Sequence, residues 1–99
     1  MKPVIFHAAA ADELQAALAH YEGQRAGLGA ELRAAVEAAI LKVQQEPAAT
    51  PTVGPRGARK SPMRRFPFAL FYADRDDAIW ILAVAHQHLK PGYWTARNG

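Results

Sequence analysis

The fold of this chain is decided by the stretch Met63-Arg64-Arg65-Phe66-Pro67-Phe68-Ala69-Leu70-Phe71-Tyr72 and by the stretch after it, Ile79-Trp80-Ile81-Leu82-Ala83-Val84-Ala85-His86. Both stretches are largely apolar, and a short charged segment, Asp74-Arg75-Asp76-Asp77, lies between them. Two apolar runs of strand length around a polar turn are typical of a β-hairpin. We therefore predict strands at about 63–73 and 78–86.

Both faces of this hairpin are apolar. In the first strand one face carries Phe66, Phe68, Leu70 and Tyr72, and the other carries Pro67, Ala69 and Phe71. In the second strand Trp80, Leu82 and Val84 should lie opposite to Ile79, Ile81, Ala83 and Ala85. A sheet with two apolar faces is normally covered on both. Because one pair of helices covers only one face, the tail, a second copy or another protein must cover the other, and we expect a protein partner.

The first half of the chain predicts one strand followed by two helices. The predicted strand is Val4-Ile5-Phe6. The first helix carries an apolar stripe at helical spacing, made of Leu14, Ala17, Leu18 and Tyr21. Asp12 and Glu13 would lie in its first turn, where acidic groups suit the helix dipole. A second apolar stripe runs from Leu28 to Val43, and Pro47 should end that helix. A glycine-bearing link makes the two an antiparallel hairpin.

The segment between the helices and the hairpin is rich in proline, glycine and basic residues. Gly54, Pro55 and Gly57 restrict any strand at about 53–60 to an edge of the sheet. The tail after residue 90 is aromatic and basic, and we expect it to contain one helical turn. The chain has no internal repeat, so residues 1–99 are expected to form one domain.

Composition excludes several classes of protein. The sequence has no cysteine, so disulfides and thiolate zinc sites are excluded and an intracellular setting is favoured. The apolar run at the start is too short for a signal peptide or a membrane span, and we expect a cytoplasmic protein with no membrane partner. We also expect no metal and no cofactor, because no metal-ligand spacing and no phosphate-binding loop occur.

Positive charge is concentrated in the second half of the chain. The net charge is +3, and a cluster without any acid holds five basic residues, Arg56, Arg59, Lys60, Arg64 and Arg65. Such a cluster favours an anionic partner, either nucleic acid or an acidic protein. A solvated edge strand kept soluble by its charge is the alternative.

Several pieces of the sequence, taken in order, resemble the RelE/ParE superfamily of toxins from type II toxin–antitoxin modules. These pieces are the Tyr21-Glu22 pair, the strand Arg65 to Tyr72, the strand Ile81 to His86 and the closing Pro91-Gly92-Tyr93-Trp94. The resemblance covers essentially the whole chain. It implies an α+β fold with an N-terminal strand, a two-helix hairpin and a three-stranded antiparallel meander, with the helices on one face of one antiparallel sheet. It also implies a cognate antitoxin that wraps and neutralises the toxin.

The superfamily has two branches with different targets. RelE-like members cleave mRNA on the ribosome and resemble one another in an arginine on the third strand, whereas ParE-like members poison DNA gyrase. The corresponding position here is Ala69, which favours the ParE-like branch. The alternative is a ribosome-dependent mRNA endonuclease, for which the candidate catalytic residues are Arg65, His86, His88 and Tyr93, because histidine exchanges protons near neutral pH. A third possibility is an inactive relative retained for antitoxin binding.

The resulting prediction is a gyrase-binding toxin of the ParE-like branch that is not an enzyme. Its contact surface would be the basic segment and the aromatic tail, made of Arg56, Arg59, Lys60, Arg64, Arg65, Lys90, Trp94 and Arg97. The partners would be the antitoxin and DNA gyrase, or the ribosome with mRNA in the alternative. Either a homodimer or a toxin–antitoxin hetero-oligomer would fit the uncovered sheet face.

Overall fold

Four strands and two helices form in the computed structural model, which describes residues 1–87 and 92–99. In chain order they are β1 (Val4–Phe6), α1 (Ala8–Gln24), α2 (Leu28–Gln45), β2 (Arg59–Pro62), β3 (Phe68–Asp74) and β4 (Ile79–His86). A tight turn lies at Pro55–Gly57, and a short 3-10 turn at Thr95–Arg97 is the predicted helical turn of the tail. The predicted first strand, helical hairpin and C-terminal strand pair are all present.

The strands form one sheet in the order β1-β4-β3-β2. β2, β3 and β4 are an antiparallel meander, as the resemblance implies. β1 instead pairs with β4 in parallel, so the expectation of a purely antiparallel sheet is wrong. Parallel pairing requires a long connection between the two strands, and here it runs through both helices and the rest of the meander.

The first helix begins earlier than its apolar stripe predicts. His7 caps α1, because its Nδ1 accepts a hydrogen bond from the backbone N–H of Ala9 at 3.1 Å. Asp12 and Glu13 therefore lie in the second turn, and the prediction that they occupy the first turn is wrong. A histidine side chain offers the same kind of acceptor as the usual serine or aspartate cap, but it is not among the residues by which a helix start is normally recognised.

The link between the helices is built around Gly27, whose φ of 89° lies in the left-handed region. The Glu22 carboxylate accepts hydrogen bonds from the backbone N–H groups of Gly27 and Gly29, both at 2.9 Å. These N–H groups lie at the start of α2, where they would otherwise lack a hydrogen-bond acceptor. The second helix ends at Gln45, two residues before Pro47, as predicted.

The edge strand and the start of β3 differ from the predicted ranges. β2 covers Arg59–Pro62 rather than 53–60, because residues 53–58 close a tight turn in which the Val53 N–H donates to the Ala58 carbonyl oxygen at 2.7 Å. Residues 64–67 form a second turn, closed by the Met63 N–H on the Phe68 carbonyl oxygen at 2.9 Å. Proline has no N–H for a strand ladder, which explains why β3 starts only after Pro67.

The helices cover one face of the sheet. The core on that side includes the predicted face of β3, with Tyr72 fully buried. The Tyr72 hydroxyl donates to the Pro47 carbonyl oxygen at 2.8 Å and lies 2.7 Å from Oγ1 of Thr50. This pair of contacts satisfies a buried phenol and ties the segment after α2 to the centre of the sheet.

A β-bulge changes which residues of β4 share a face. The register between β3 and β4 shifts between Phe71 and Tyr72, so Leu82 has no direct partner in β3. Leu82 and Ala83 therefore both lie on the face away from the helices, and Val84 packs on the helix side with Ile79 and Ile81. The predicted grouping of Val84 with Leu82 is wrong, because a bulge inserts one residue into the alternation.

The tail covers the second apolar face. Trp94 is only 3% exposed, and its ring stacks on Phe71 with a centroid separation of 4.6 Å. It packs with the small residues and Leu82 that line this face, and Tyr93 lies against the same cluster. The chain's own tail is one of the three covers considered from the sequence, so the expectation that a protein partner covers this face is wrong.

Replacing Gly54 with alanine should destabilise the protein. A Cβ at Gly54 would lie 2.8 Å from Cη2 of the buried Trp94, so the indole would have to move off Phe71. We expect the free energy of unfolding, measured by urea denaturation, to fall by about 1–3 kcal/mol.

Gly23→Ala is the matched control for this substitution. Gly23 lies in α1, and a Cβ added there would meet no atom within 4 Å. Because alanine favours the helix over glycine, this variant should gain about 0.5–1 kcal/mol of stability. Equal stability of Gly54→Ala and wild type would contradict the described packing of Trp94.

Candidate functional site

A half-buried carboxylate in α1 joins the tail to the sheet. Oε1 of Glu13 accepts hydrogen bonds from the backbone N–H of Val84 at 3.0 Å and from Nη1 of Arg97 at 2.9 Å. Oε2 accepts a hydrogen bond from the Tyr93 hydroxyl at 2.7 Å. One side chain therefore contacts the edge of β4 and two residues of the tail, and we call this set the Glu13 cluster.

The Glu13 cluster occupies the part of the β4 edge that β1 leaves open. β1 pairs only with Ile79 to Ile81, and β4 continues for five residues beyond that point. On this stretch Glu13 takes the Val84 N–H, and Nη1 of Arg97 donates to the Leu82 carbonyl oxygen at 3.0 Å. Unpaired backbone groups in a partly buried position are costly in free energy. Glu13 and Arg97 supply the hydrogen bonds that a neighbouring strand would otherwise make.

Tyr93 is held in its neutral form by this arrangement. Burial raises the pKa of the Tyr93 phenol well above its ordinary value, and the hydrogen bond to the Glu13 carboxylate raises that pKa further. The guanidinium of Arg97 lies 5.1 Å from the centroid of the Tyr93 ring and opposes the shift. A phenol that stays protonated can donate a hydrogen bond to the carboxylate, and this bond holds the tail in place.

A second anchor holds the far end of the tail. Oδ1 of Asn98 accepts a hydrogen bond from Nη2 of Arg75 at 3.0 Å, and Nδ2 of Asn98 donates to the Pro55 carbonyl oxygen at 3.2 Å. Arg75 also lies over the Trp80 ring, 5.1 Å from its centroid. The tail is therefore fixed to the β3–β4 turn and to the loop before β2 as well as to α1.

The described candidates for RNA cleavage have separate partners. Arg65 forms an ion pair with Glu31 of α2 and lies 5.2 Å from the Phe66 ring, and this ion pair lowers the pKa of Glu31. His86 is half-buried and packs edge-to-face on Phe68, with 5.2 Å between ring centroids. Tyr93 is bound to Glu13. His88 and Lys90 lie outside the described residues.

The predicted contact residues divide into engaged and exposed groups. Arg59 donates to the carbonyl oxygens of Ala48 and Thr50, and Arg97 is held by Glu13. Trp94 is buried by its packing on Phe71. Lys60 is half-buried, with its Nζ 5.9 Å from the Phe71 ring centroid. Arg56 and Arg64 are exposed and make no hydrogen bond or ion pair with any described residue.

The comparisons with known proteins agree with the observed architecture. A family model described as the ParE toxin of the type II toxin–antitoxin system, parDE, matches residues 4–90. The chain belongs to the ParE toxin family. A solved structure from the chromosomal ParDE toxin–antitoxin system of P. aeruginosa is similar at 22% identity with a TM-score of 0.69, over 87% of this chain and 96% of that chain. That likeness shows the fold. A search of curated proteins returned no match.

The described part of this ParE-family chain contains neither a cluster of metal-ligating side chains nor a helix that could span a membrane. Within residues 1–87 and 92–99, no group of three or more histidine, cysteine or acidic side chains is placed to hold a metal ion. Neither helix in those ranges is both long enough and apolar enough to cross a bilayer.

The Glu13 cluster was not predicted from the sequence, although one signal for it exists. Glu13 lies three residues after Ala10 and four before Ala17, and both alanines are buried. Residues at these spacings share a helix face, so Glu13 must point toward the sheet. An acid on a buried face needs a partner, and the basic tail supplies it.

Replacing Glu13 with glutamine should loosen the tail. The variant keeps the length of the side chain but loses the charge that binds Arg97 and Tyr93, and we expect the free energy of unfolding to fall by about 1–3 kcal/mol. Near-ultraviolet circular dichroism of Trp94 should change as well. Asp12→Asn removes a neighbouring charge outside the cluster and should alter stability by less than about 0.5 kcal/mol. If the two variants unfold alike, Glu13 does not anchor the tail.

Stability should decrease at alkaline pH because of Tyr93. Its folded pKa is raised, so its contribution is complete below the ordinary tyrosine pKa of about 10 and is lost as the pH rises through the raised value. We expect urea denaturation between about pH 9 and 11 to show a steeper loss of stability for wild type than for Tyr93→Phe. Tyr21→Phe, which removes a tyrosine outside the Glu13 cluster, is the control, and a Tyr93→Phe slope equal to wild type would contradict the assignment.

Proposed function

We propose that this ParE-family chain is the toxin of a type II toxin–antitoxin pair, that it acts in the cytoplasm by binding DNA gyrase, and that a cognate antitoxin neutralises it. Family membership supports the toxin–antitoxin role. The observation that carries the choice of gyrase over the ribosome is the environment of Ala69, where the RNase branch has an arginine.

Ala69 is buried in the sheet and has no polar or charged group that could act on a phosphate. It is 1% exposed in the middle of the sheet and pairs across the strands with Ala85, which is also buried. Stabilising the developing charge of RNA cleavage requires a cation aimed at the phosphate. The methyl side chain of Ala69 provides no such cation, and this favours a binding function over RNA cleavage.

Two of the other candidate catalytic groups, Tyr93 and Arg65, support the same choice. The Tyr93 phenol is bound to a carboxylate and has a raised pKa, so it is a poor base near neutral pH. Arg65 is paired with Glu31 in α2. A binding toxin needs neither group free, whereas a metal-free nuclease needs both a base and a cation at the phosphate.

The antitoxin has apolar surface available to cover. Among the described residues, the large exposed hydrophobic side chains are Met1, Ile5, Leu41 and Val53. Ile5 lies on the edge strand β1 and Leu41 on the outer side of α2. An amphipathic segment that wraps the toxin, as the resemblance implies, would bury such residues.

Induced expression with parallel pulse-labelling of DNA and protein synthesis tests the proposed target. We expect DNA synthesis to fall first and the DNA-damage response to rise while translation continues. Purified protein should inhibit supercoiling by gyrase in vitro. The double variant His86→Gln with His88→Gln removes both proton-exchanging groups with little change in side-chain size, and it should remain toxic.

Two results would overturn the proposal. Immediate arrest of protein synthesis, abolished by the double histidine variant, would establish the ribosome-dependent nuclease. Normal growth on expression of a folded protein, with gyrase unaffected in vitro, would indicate an inactive relative retained for antitoxin binding. Coexpression of the proposed antitoxin serves as the control for neutralisation.

A further inference from the structure

A pocket opens between the C-terminal end of α2 and the edge strand β2, on the face of the sheet that carries the helices. Its volume is about 240 Å³. Apolar side chains form part of its wall, among them Val43 of α2 and Met63 after β2, and both of these residues are buried in the helix-side core. The Glu13 cluster does not contribute to its lining. The pocket is therefore separate from the tail and from the second face of the sheet.

Ser61 of β2 lines this pocket with a hydroxyl that is not used elsewhere. Ser61 pairs across the strands with Leu70, a residue of the helix-side core, and opposite residues of neighbouring strands share a face. It is only 7% exposed, yet its side chain makes no hydrogen bond with any described residue. No enclosed side-chain oxygen or nitrogen of the described residues lacks a hydrogen-bond partner, so the unpaired Ser61 oxygen must be reachable. The pocket is the opening beside it.

The other hydroxyl groups of the pocket are already used. The Tyr72 hydroxyl donates to the Pro47 carbonyl oxygen at 2.8 Å and lies 2.7 Å from Oγ1 of Thr50. Tyr72 and Thr50 both line the pocket. Among the described lining residues, Ser61 therefore supplies the hydroxyl that is left for an incoming group.

The charged residues that line the pocket are unpaired within the described chain. They are Lys42 of α2, Glu46 at its C-cap and Arg64 after β2, and all three are exposed. None of them forms an ion pair with a described residue, whereas Arg65, next to Arg64, is paired with Glu31. Two cations against one carboxylate make the pocket attractive to a single negative group.

A glutamate side chain fits this combination of groups. A volume of about 240 Å³ lies below the roughly 300–1,000 Å³ of pockets for drug-sized ligands and suits one long side chain. The methylene groups would pack on the apolar wall, and the carboxylate would accept a hydrogen bond from Ser61 and be attracted by Lys42 and Arg64. A phosphate backbone fits less well, because Glu46 opposes a run of negative charges and the apolar wall contributes nothing to a contact that is electrostatic.

We propose that this pocket, which we call the Ser61 pocket, binds a glutamate side chain from an acidic segment of a partner protein. Side chains that fill pockets carry much of the binding energy of protein interfaces. The net charge of +3 favours an acidic partner as well. The proposal goes beyond the proposed function, because it requires neither binding to gyrase nor a toxic effect. Failure of either proposal leaves the other standing.

Nuclear magnetic resonance titration of the full chain, labelled with nitrogen-15, tests the Ser61 pocket. The probe is the blocked peptide acetyl-Ala-Ala-Glu-Ala-Ala-amide, and the comparison is the same peptide with glutamine in place of glutamate. We expect amide signals of residues 43–46 and 60–64 to shift. The glutamine peptide should bind several-fold more weakly, because a neutral amide forms no charge-assisted hydrogen bond with Lys42 or Arg64. Added salt should weaken binding of the glutamate peptide.

Ser61→Ala separates binding from stability. The substitution removes no hydrogen bond to a described residue, so the thermal midpoint should be retained while the affinity for the glutamate peptide falls several-fold. Arg64→Gln should weaken binding as well, and it tests the pocket independently if Ser61→Ala does not fold. Arg33→Gln is the matched control, because it removes an exposed arginine of α2 that does not line the pocket. It should leave the affinity within about twofold of wild type.

Three results would overturn the proposal. The first is equal affinity of wild type and either pocket variant, Ser61→Ala or Arg64→Gln, for the glutamate peptide. The second is equal binding of the glutamate and glutamine peptides, or signal shifts confined to residues 92–99, because the peptide would then be bound without its carboxylate or at another site. The third is a larger shift of the pocket signals with a short DNA duplex than with the glutamate peptide, which would assign the pocket to nucleic acid.

Discussion

The architecture of this protein depends on one carboxylate, that of Glu13, which meets the end of a strand and the tail at the same point. β1 is three residues long, so most of the outer edge of β4 has no neighbouring strand. Glu13 and Arg97 satisfy that edge and join the tail to it. Trp94 can then lie flat on Phe71, and the second face of the sheet is closed without another molecule. The short strand, the bulge and the ordered tail are thus parts of one arrangement.

The order of elements and the core of β3 could be predicted because they follow from periodicity. Helical spacing reveals the apolar stripe of α2, and two-residue alternation reveals the buried face from Phe66 to Tyr72. The structure buries both sets of residues in the core. The bulge at Leu82 could not be predicted, because nothing in an unbroken run of apolar residues marks which one is left unpaired. The parallel pairing of β1 with β4 depends on how the helices pack on the sheet and thereby place the later strands. That is a property of the whole fold and not of the local sequence.

The Glu13 cluster could not be predicted for a related reason. Tyr93 and Arg97 are natural candidates for contact or catalysis because they are aromatic and basic in an exposed-looking tail. Their partner Glu13 lies far earlier in the chain, in α1, and a single sequence does not connect such distant positions.

The way this part of the sheet edge is closed also limits strand addition by another molecule. A free strand edge exposes a row of backbone donors and acceptors that can recruit a strand from another molecule and start aggregation. Along β4 that row is occupied by two charged side chains rather than by a strand, and charged groups do not template further strand addition. The three-residue first strand therefore leaves no open stretch of backbone at Leu82 and Val84, beside central strands that are among the most apolar segments of the chain.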